Sequence, residues 1–307
     1  MSHRPIAVVG AASSIGIKPY EDGSARQLDR APGVLRQLAL IERLKAVDLG
    51  DLTPADYRDF VRQTGRVRNE PELVTYCESL GERVAAAASD GRFVLVLGGD
   101  CSIVLGSLLA AKRVARTAGL AYIDAHADFA APDESRTGSA ASMCLGLAVG
   151  RGDTTLARLG GAEPLVDPAH VVLLGRRDQQ EPWYGHAALA ASRVLDIDDA
   201  GVRARGWAGA ATVALERLGS DTIEGFWVHV DADVIDPSVM PAVDSPEAGG
   251  PTLEQLAALA SPLVRHPRCI GLELTIYDPK LDGDRACAGR LVSLLEELLN
   301  PQSPIPE

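Results

Sequence analysis

The chain alternates short apolar runs with longer stretches in which apolar positions recur every three or four residues. Ile6 to Val9, Phe93 to Leu97, Leu120 to Ile123, Val171 to Leu174, Phe226 to Val230 and Ile270 to Thr275 are runs of the first kind. Such runs, bounded by turn residues, predict strands buried on both faces, as in a parallel sheet covered by helices. The second kind begins at Pro32, with Leu35, Leu38, Ile41 and Leu44 along one face. It recurs from Pro71, which opens a helix carrying Leu73, Cys77, Leu80 and Val84 inward as far as Asp90-Gly91. Proline suits a first helical position because its missing N–H would have no partner there. Gly98 to Ser102 turns the strand ending at Leu97 into a helix from about Ile103, with Asp100 or Ser102 as its cap. A closing helix presents Leu291, Leu294, Leu295 and Leu298, and the tail from Pro301 to Glu307 is expected to be extended. This alternation, with no repeat or linker, predicts one three-layer α/β/α domain over residues 1–307 with a mainly parallel central sheet.

Composition narrows the function. The formal charge of −12 repels phosphate backbones and anionic lipid, so neither nucleic acid nor a membrane is an expected partner. Aromatic residues are only 4% of the chain, which argues against base-stacking surfaces. No apolar run reaches the length of a membrane span, and Met1 to Pro5 lead into Ile6 without the layout of a signal peptide, so a cytoplasmic protein is expected. The cysteines at 77, 101, 144, 269 and 287 are odd in number and form no CxxC pair, which is not a disulfide framework. Four read as small core fillers. Cys101 stands apart, because it follows the Gly98-Gly99-Asp100 turn.

Acidic and imidazole side chains collect just past three predicted strands. Asp124-Ala125-His126-Ala127-Asp128 follows one, Asp231-Ala232-Asp233 another, and Asp100-Cys101 the third. In extended chain Asp124, His126 and Asp128 project from one face while the alanines pack behind. Ligands of parallel sheets bind outside the carboxyl ends of the strands, so these three ends are expected to share one crevice. Asp124, Asp128, Asp231 and Asp233 together carry −4, which repels itself unless two divalent cations neutralise it.

Gly98-Gly99-Asp100-Cys101-Ser102, Asp124-Ala125-His126-Ala127-Asp128 and Asp231-Ala232-Asp233-Val234-Ile235-Asp236-Pro237 resemble the three signatures of the arginase, or ureohydrolase, family. Ala31 to Arg36, Gly249 to Thr252 and Gly271-Leu272-Glu273 extend the similarity almost end to end. The resemblance implies an arginase-like three-layer fold, a pair of Mn2+ ions, and hydrolysis of a guanidino-type C–N bond by a metal-bridging hydroxide. It assigns one ion to Cys101, Asp124, Asp128 and Asp231, and the other to Asp124, His126, Asp231 and Asp233. It also implies a homo-oligomer, a trimer or hexamer, acting on a small molecule. Asp128 would further accept a hydrogen bond from the nucleophile and orient it.

The chain departs from that family at several places. Cys101 replaces a usual histidine, and its sulfur tilts preference towards Zn2+ or Fe2+. Ala141 falls where arginases carry a proton-shuttling histidine, which leaves His229 as the candidate for proton transfer or for bracing a ligand. Ala130 replaces an asparagine, Gln180 and Trp183 fall where an acidic pair grips the substrate's amino group, and Ile276 falls where a glutamate cradles the guanidinium. These changes predict a guanidino, amidine or formimino substrate other than free arginine. Trp183, Tyr184 and Tyr277 would make apolar contacts with it, and Arg136 and Ser139 polar ones. Two alternatives stand beside this reading: a hydrolase of an N-hydroxyarginine-type metabolite, and a catalytically silent metal-binding homologue that serves a partner.

Overall fold

A computed structural model describes residues 4–300 except Phe60 and Pro182. Among the described residues eight strands form one sheet: β1 (Ile6–Ala11), β2 (Val47–Leu52), β3 (Phe93–Leu97), β4 (Ala118–Ile123), β5 (Val171–Leu174), β6 (Leu195–Ile197), β7 (Gly225–Asp231) and β8 (Cys269–Thr275). Their order is β2-β1-β3-β8-β7-β4-β5-β6, and every pairing is parallel. In β1, β3, β4, β5, β7 and β8 every residue is buried, so both faces of the sheet are covered. Helices Glu70–Ser89 and Val104–Val114 pack together, as do Trp207–Leu218 and Leu253–Val264, with Ala286–Leu299 against the last. No described helix is long and apolar enough to cross a membrane.

The predicted core strands are all present. The edges were not predicted. β2 (Val-Asp-Leu-Gly-Asp-Leu) is largely exposed and lacks an apolar run, and β6 is only three residues long. β2 is held from outside instead, by Arg36 reaching Asp48 and Asp51 at 2.9 and 2.5 Å. The helix expected from Pro32 through Leu44 is two helices, Ala31–Gln37 and Leu40–Leu44, because Ala39 between them is left-handed, with φ 59°. The tail from Pro301 lies outside the described residues.

The fully buried Trp227 on β7 presses on β8 so closely that a Cβ on Gly271 would stand 2.4 Å from its ring and 2.3 Å from the carbonyl of Val94. Burying one large apolar side chain of this kind contributes roughly 1.5–3 kcal/mol. Register across the middle of the sheet sets Tyr122 of β4 beside His229 of β7, and His229 beside Glu273 of β8. Neighbours at one level of a parallel sheet present their side chains to the same face. Three polar residues thus form a row beneath the carboxyl ends of the strands.

Candidate metal centre

Asp124 is the first residue past β4. Its Oδ1 accepts the backbone N–H of His126 at 2.7 Å, an Asx turn that ends the extended alternation expected through Asp128. The same device recurs on the neighbouring strand β7, where Oδ1 of Asp231 accepts the N–H of Asp233 at 2.8 Å. These turns aim Asp124, His126 and Asp233 at one another: His126 Nδ1 lies 3.0 Å from Asp233 Oδ2 and 3.5 Å from Asp124 Oδ1. Cys101 arrives from the turn after β3. Gly99 is required there, because a Cβ would stand 2.0 Å from the carbonyl oxygen of Ser13. Asp100 caps that turn, accepting the N–H groups of Ser102 and Gly16 at 3.0 Å each, so it positions Cys101 rather than entering the site.

Among the described residues, two groups could each hold an ion: Asp124, His126 and Asp233, and Cys101, Asp124, His229 and Asp231. Within each group the donor atoms lie within 4.8 Å of one another, and all are buried. Cys101 Sγ donates to Asp231 Oδ2 at 2.8 Å. Two donor atoms that face this space, Asp124 Oδ2 and His229 Nε2, are buried and have no hydrogen-bond partner. Buried polar atoms without partners are costly, and a cation would satisfy both. The residues present fit a metal pair.

The electrostatics agree. Burial, then Asp233 and Asp124, push Asp231 well above the ordinary carboxylate range. Burial likewise raises Asp128, with Cys144 and Asp124 adding to it, and raises Asp233 against the opposing pull of His126. Burial lowers His126, but Asp233 and Asp124 outweigh it and hold that ring well above its ordinary value. Burial, Cys144 and Asp231 raise the Cys101 thiol. Carboxylates crowded in a dry site raise one another in this way, and a divalent ion reverses the effect by favouring the anionic forms.

Asp128 stands apart from both groups, with φ 46°. Its Oδ2 accepts the hydroxyl of Tyr122 at 2.7 Å and the thiol of Cys144 at 3.5 Å. Cys144 is therefore more than a core filler, since its sulfur also lies 3.0 Å from the Tyr122 oxygen and donates to the carbonyl of Ala141. His229 is fully buried under the Tyr122 ring, stacked at 4.2 Å between centroids, and does not line the cavity. Its Nδ1 lies 2.7 Å from Glu273 Oε1, and Glu273 Oε2 accepts the Ser107 hydroxyl at 2.5 Å.

A cavity of about 530 Å³ opens above the cluster. Cys101, His126, Asp128, Asp231 and Asp233 reach it from below, with Ile276, Ser139, Ala141, Arg136, Trp183 and Tyr184 on its walls. Tyr184 stacks on His126 at 5.2 Å, and the Arg136 guanidinium lies over the Trp183 ring at 4.4 Å. Ile276 is buried and left-handed, with φ 66°, its N–H tied to the carbonyl of Gly99. Gln180 is exposed and outside the lining, and Tyr277 is turned away, donating to Asp282 at 2.7 Å. Sequence reasoning missed Lys18, Glu21 and the Arg26–Asp244 ion pair, which also line the cavity, because segments distant in the chain supply them. It also passed over buried Asp178, which accepts the N–H of Ala127 at 2.8 Å and pairs with Arg176, holding the loop that carries His126.

The sequence pattern of the Arginase family matches residues 6–300. The chain belongs to the arginase family. An arginase of Staphylococcus aureus (strain MRSA252) is 27% identical over 300 residues, covering 94% of this chain and 95% of that protein. The solved structure of Bacillus caldovelox arginase superposes with a TM-score of 0.86 at 28% identity, covering 97% of this chain and 98% of that one. At 20% identity, formimidoylglutamase of Bacillus subtilis shares the fold, with a TM-score of 0.76 over 99% of this chain and 89% of that one. The arginase-like fold expected from the motifs is thus present, and the protein is a hydrolase of this dinuclear ureohydrolase family. Of the ligands expected from the motifs, Cys101, Asp124, His126, Asp231 and Asp233 fall in the two buried groups and Asp128 does not.

Proposed function

We propose that the protein hydrolyses a C–N bond of a guanidino, amidine or formimino compound other than free arginine, using two divalent ions, Mn2+ in the first instance. The observation that carries this reading is the buried cluster of Cys101, Asp124, His126, Asp231 and Asp233 directly beneath an open cavity. Asp124 would be shared between the two ions, with His126 and Asp233 on one side and Cys101 and Asp231 on the other. When bound, such a pair supplies Lewis acidity and a water of lowered pKa, which is what attack on a resonance-stabilised amidine carbon requires. The chain's own groups do the rest. Tyr184 and Trp183 wall the cavity, and Asp128, steadied by Tyr122, offers a proton acceptor at its floor.

The substrate restriction rests on Ile276. The relatives are named arginases, which speaks for arginine, but at this point of the cavity wall a buried alkyl side chain offers a guanidinium no counter-charge. Leaving a buried cation without its partner costs about 3–5 kcal/mol, so arginine should be roughly 10²–10⁴-fold poorer in kcat/KM than the preferred compound. Arg136, exposed and without an ion pair among the described residues, suits an anionic end of that compound.

A screen of guanidino, ureido, amidine and formimino compounds with manganese-loaded protein, scoring urea and ammonia release, tests the proposal. Arginine as the best substrate would overturn the restriction. Turnover of none, with fewer than two ions bound, would favour the silent homologue.

A further inference from the structure

We infer that His229 is itself a metal ligand, completing a Cys101, Asp124, His229 and Asp231 site in which His229 takes the place that the family resemblance gives to Asp128. The inference rests on the dinuclear reading above and changes which side chains make one of its halves. It starts from two unpartnered atoms. His229 Nε2 and Asp124 Oδ2 lie 4.0 Å apart, on side chains with 0% and 1% of their surface exposed. That separation is too long for a hydrogen bond. It is no longer than two metal–ligand bonds of about 2.0–2.2 Å placed end to end.

The other nitrogen fixes which atom faces the ion. His229 Nδ1 lies 2.7 Å from Glu273 Oε1, and a proton on Nδ1 donated to that carboxylate leaves the Nε2 lone pair pointing at Asp124, Cys101 and Asp231. A carboxylate holding the far nitrogen of an imidazole is the usual support of a ligating histidine. Ser107 secures Glu273 at 2.5 Å, and the Tyr122 ring lies almost parallel to the imidazole, at 8°, which fixes its plane. Full burial and absence from the cavity lining leave His229 no direct route to a substrate.

Asp128 belongs to neither group of donor atoms, and its Oδ2 is engaged by the Tyr122 hydroxyl and the Cys144 thiol. A thiolate, an imidazole and two carboxylates form a four-donor set with the character of a zinc or iron site.

The test reads this half-site alone. Chelator-stripped, reduced protein is titrated with Co2+ while the near-ultraviolet thiolate-to-cobalt absorption is followed, and Cys101→Ser must abolish the band. His229→Ala should weaken the affinity so measured by at least the 10–100-fold, in round terms (~), that loss of a ligand's supporting partner costs. Asp128→Asn should leave it unchanged. Because His229→Ala can fail to fold, zinc-edge X-ray absorption of the wild-type protein with two Zn2+ bound gives an independent count. Two imidazoles and one sulfur shared between the ions support the inference, and a single imidazole overturns it. Unchanged Co2+ affinity in His229→Ala, or a loss confined to Asp128→Asn, also overturns it while leaving the dinuclear reading intact. A wild-type protein that binds neither metal defeats both.

Discussion

The two halves of the cluster share Asp124 and differ in almost everything else. The outer half, with His126 and Asp233, opens to the cavity beneath Tyr184, and its imidazole is 5% exposed. The inner half touches the same cavity through Cys101 and Asp231, but it is backed by the row Tyr122–His229–Glu273 across three strands and contains the sulfur. An ion at a cavity wall can exchange ligands with substrate and water. An ion braced from behind by a fixed row of side chains has a preference that follows the chemistry of its donors. The comparison sets a half that opens to the cavity beside one braced by strand register, with Cys101 and His229 on the braced side.

The comparison can be broken most completely at Asp124. Asp124→Asn should remove both ions and with them any rise in melting temperature on adding Mn2+ or Zn2+. A melting curve that still responds to metal as wild type does would show that Asp124 is not shared. Next, His126→Ala and Cys101→Ser should each cost one ion of the two, counted by elemental analysis, with affinity at the affected half down by more than the roughly 10–100-fold that loss of a supporting partner costs. Loss of both ions in either variant would mean that the halves do not act separately. A smaller effect is expected from Cys101→His, which exchanges an anionic ligand for a neutral one. Manganese occupancy should rise and the acid limb of the pH–rate profile should move down by less than about one unit. A profile indifferent to the change would place Cys101 away from the metal.

The smallest effect is a slope in stability. In the metal-free chain Asp128, Asp231 and Asp233 titrate above the ordinary carboxylate value of 3.8, so the folded state keeps protons that the unfolded state has released. Stability is then full below that value and falls as pH rises through the folded ones. The raised pKa of His126 acts in the same direction above 6.5. Each retained proton is worth about 1.4 kcal/mol per pH unit. Chelated protein should therefore melt lower at about pH 8 than at about pH 5, and metal loading should flatten the trend. Chelated protein that gained stability with pH would contradict the electrostatic account.

Much of this was legible in the chain itself. Buried strands announce themselves as apolar runs, and the acids directly after β4 and β7 belong to turns whose geometry is local. Edge strands β2 and β6 were not legible, because a strand paired on one side needs no continuous apolar run. The break at Ala39 was hidden as well, since the apolar spacing runs on through it.

The sequence alone therefore determined the fold class and the family, and set Asp124, Asp231 and Asp233 at the ends of their strands, all of which depend on neighbours a few residues apart. Only the tertiary structure decided that Cys144 and Tyr122 hold Asp128, and that His229 meets Glu273 from 44 positions away. Strand register makes these choices, and register is fixed by packing across the whole sheet, so no short stretch of chain contains it.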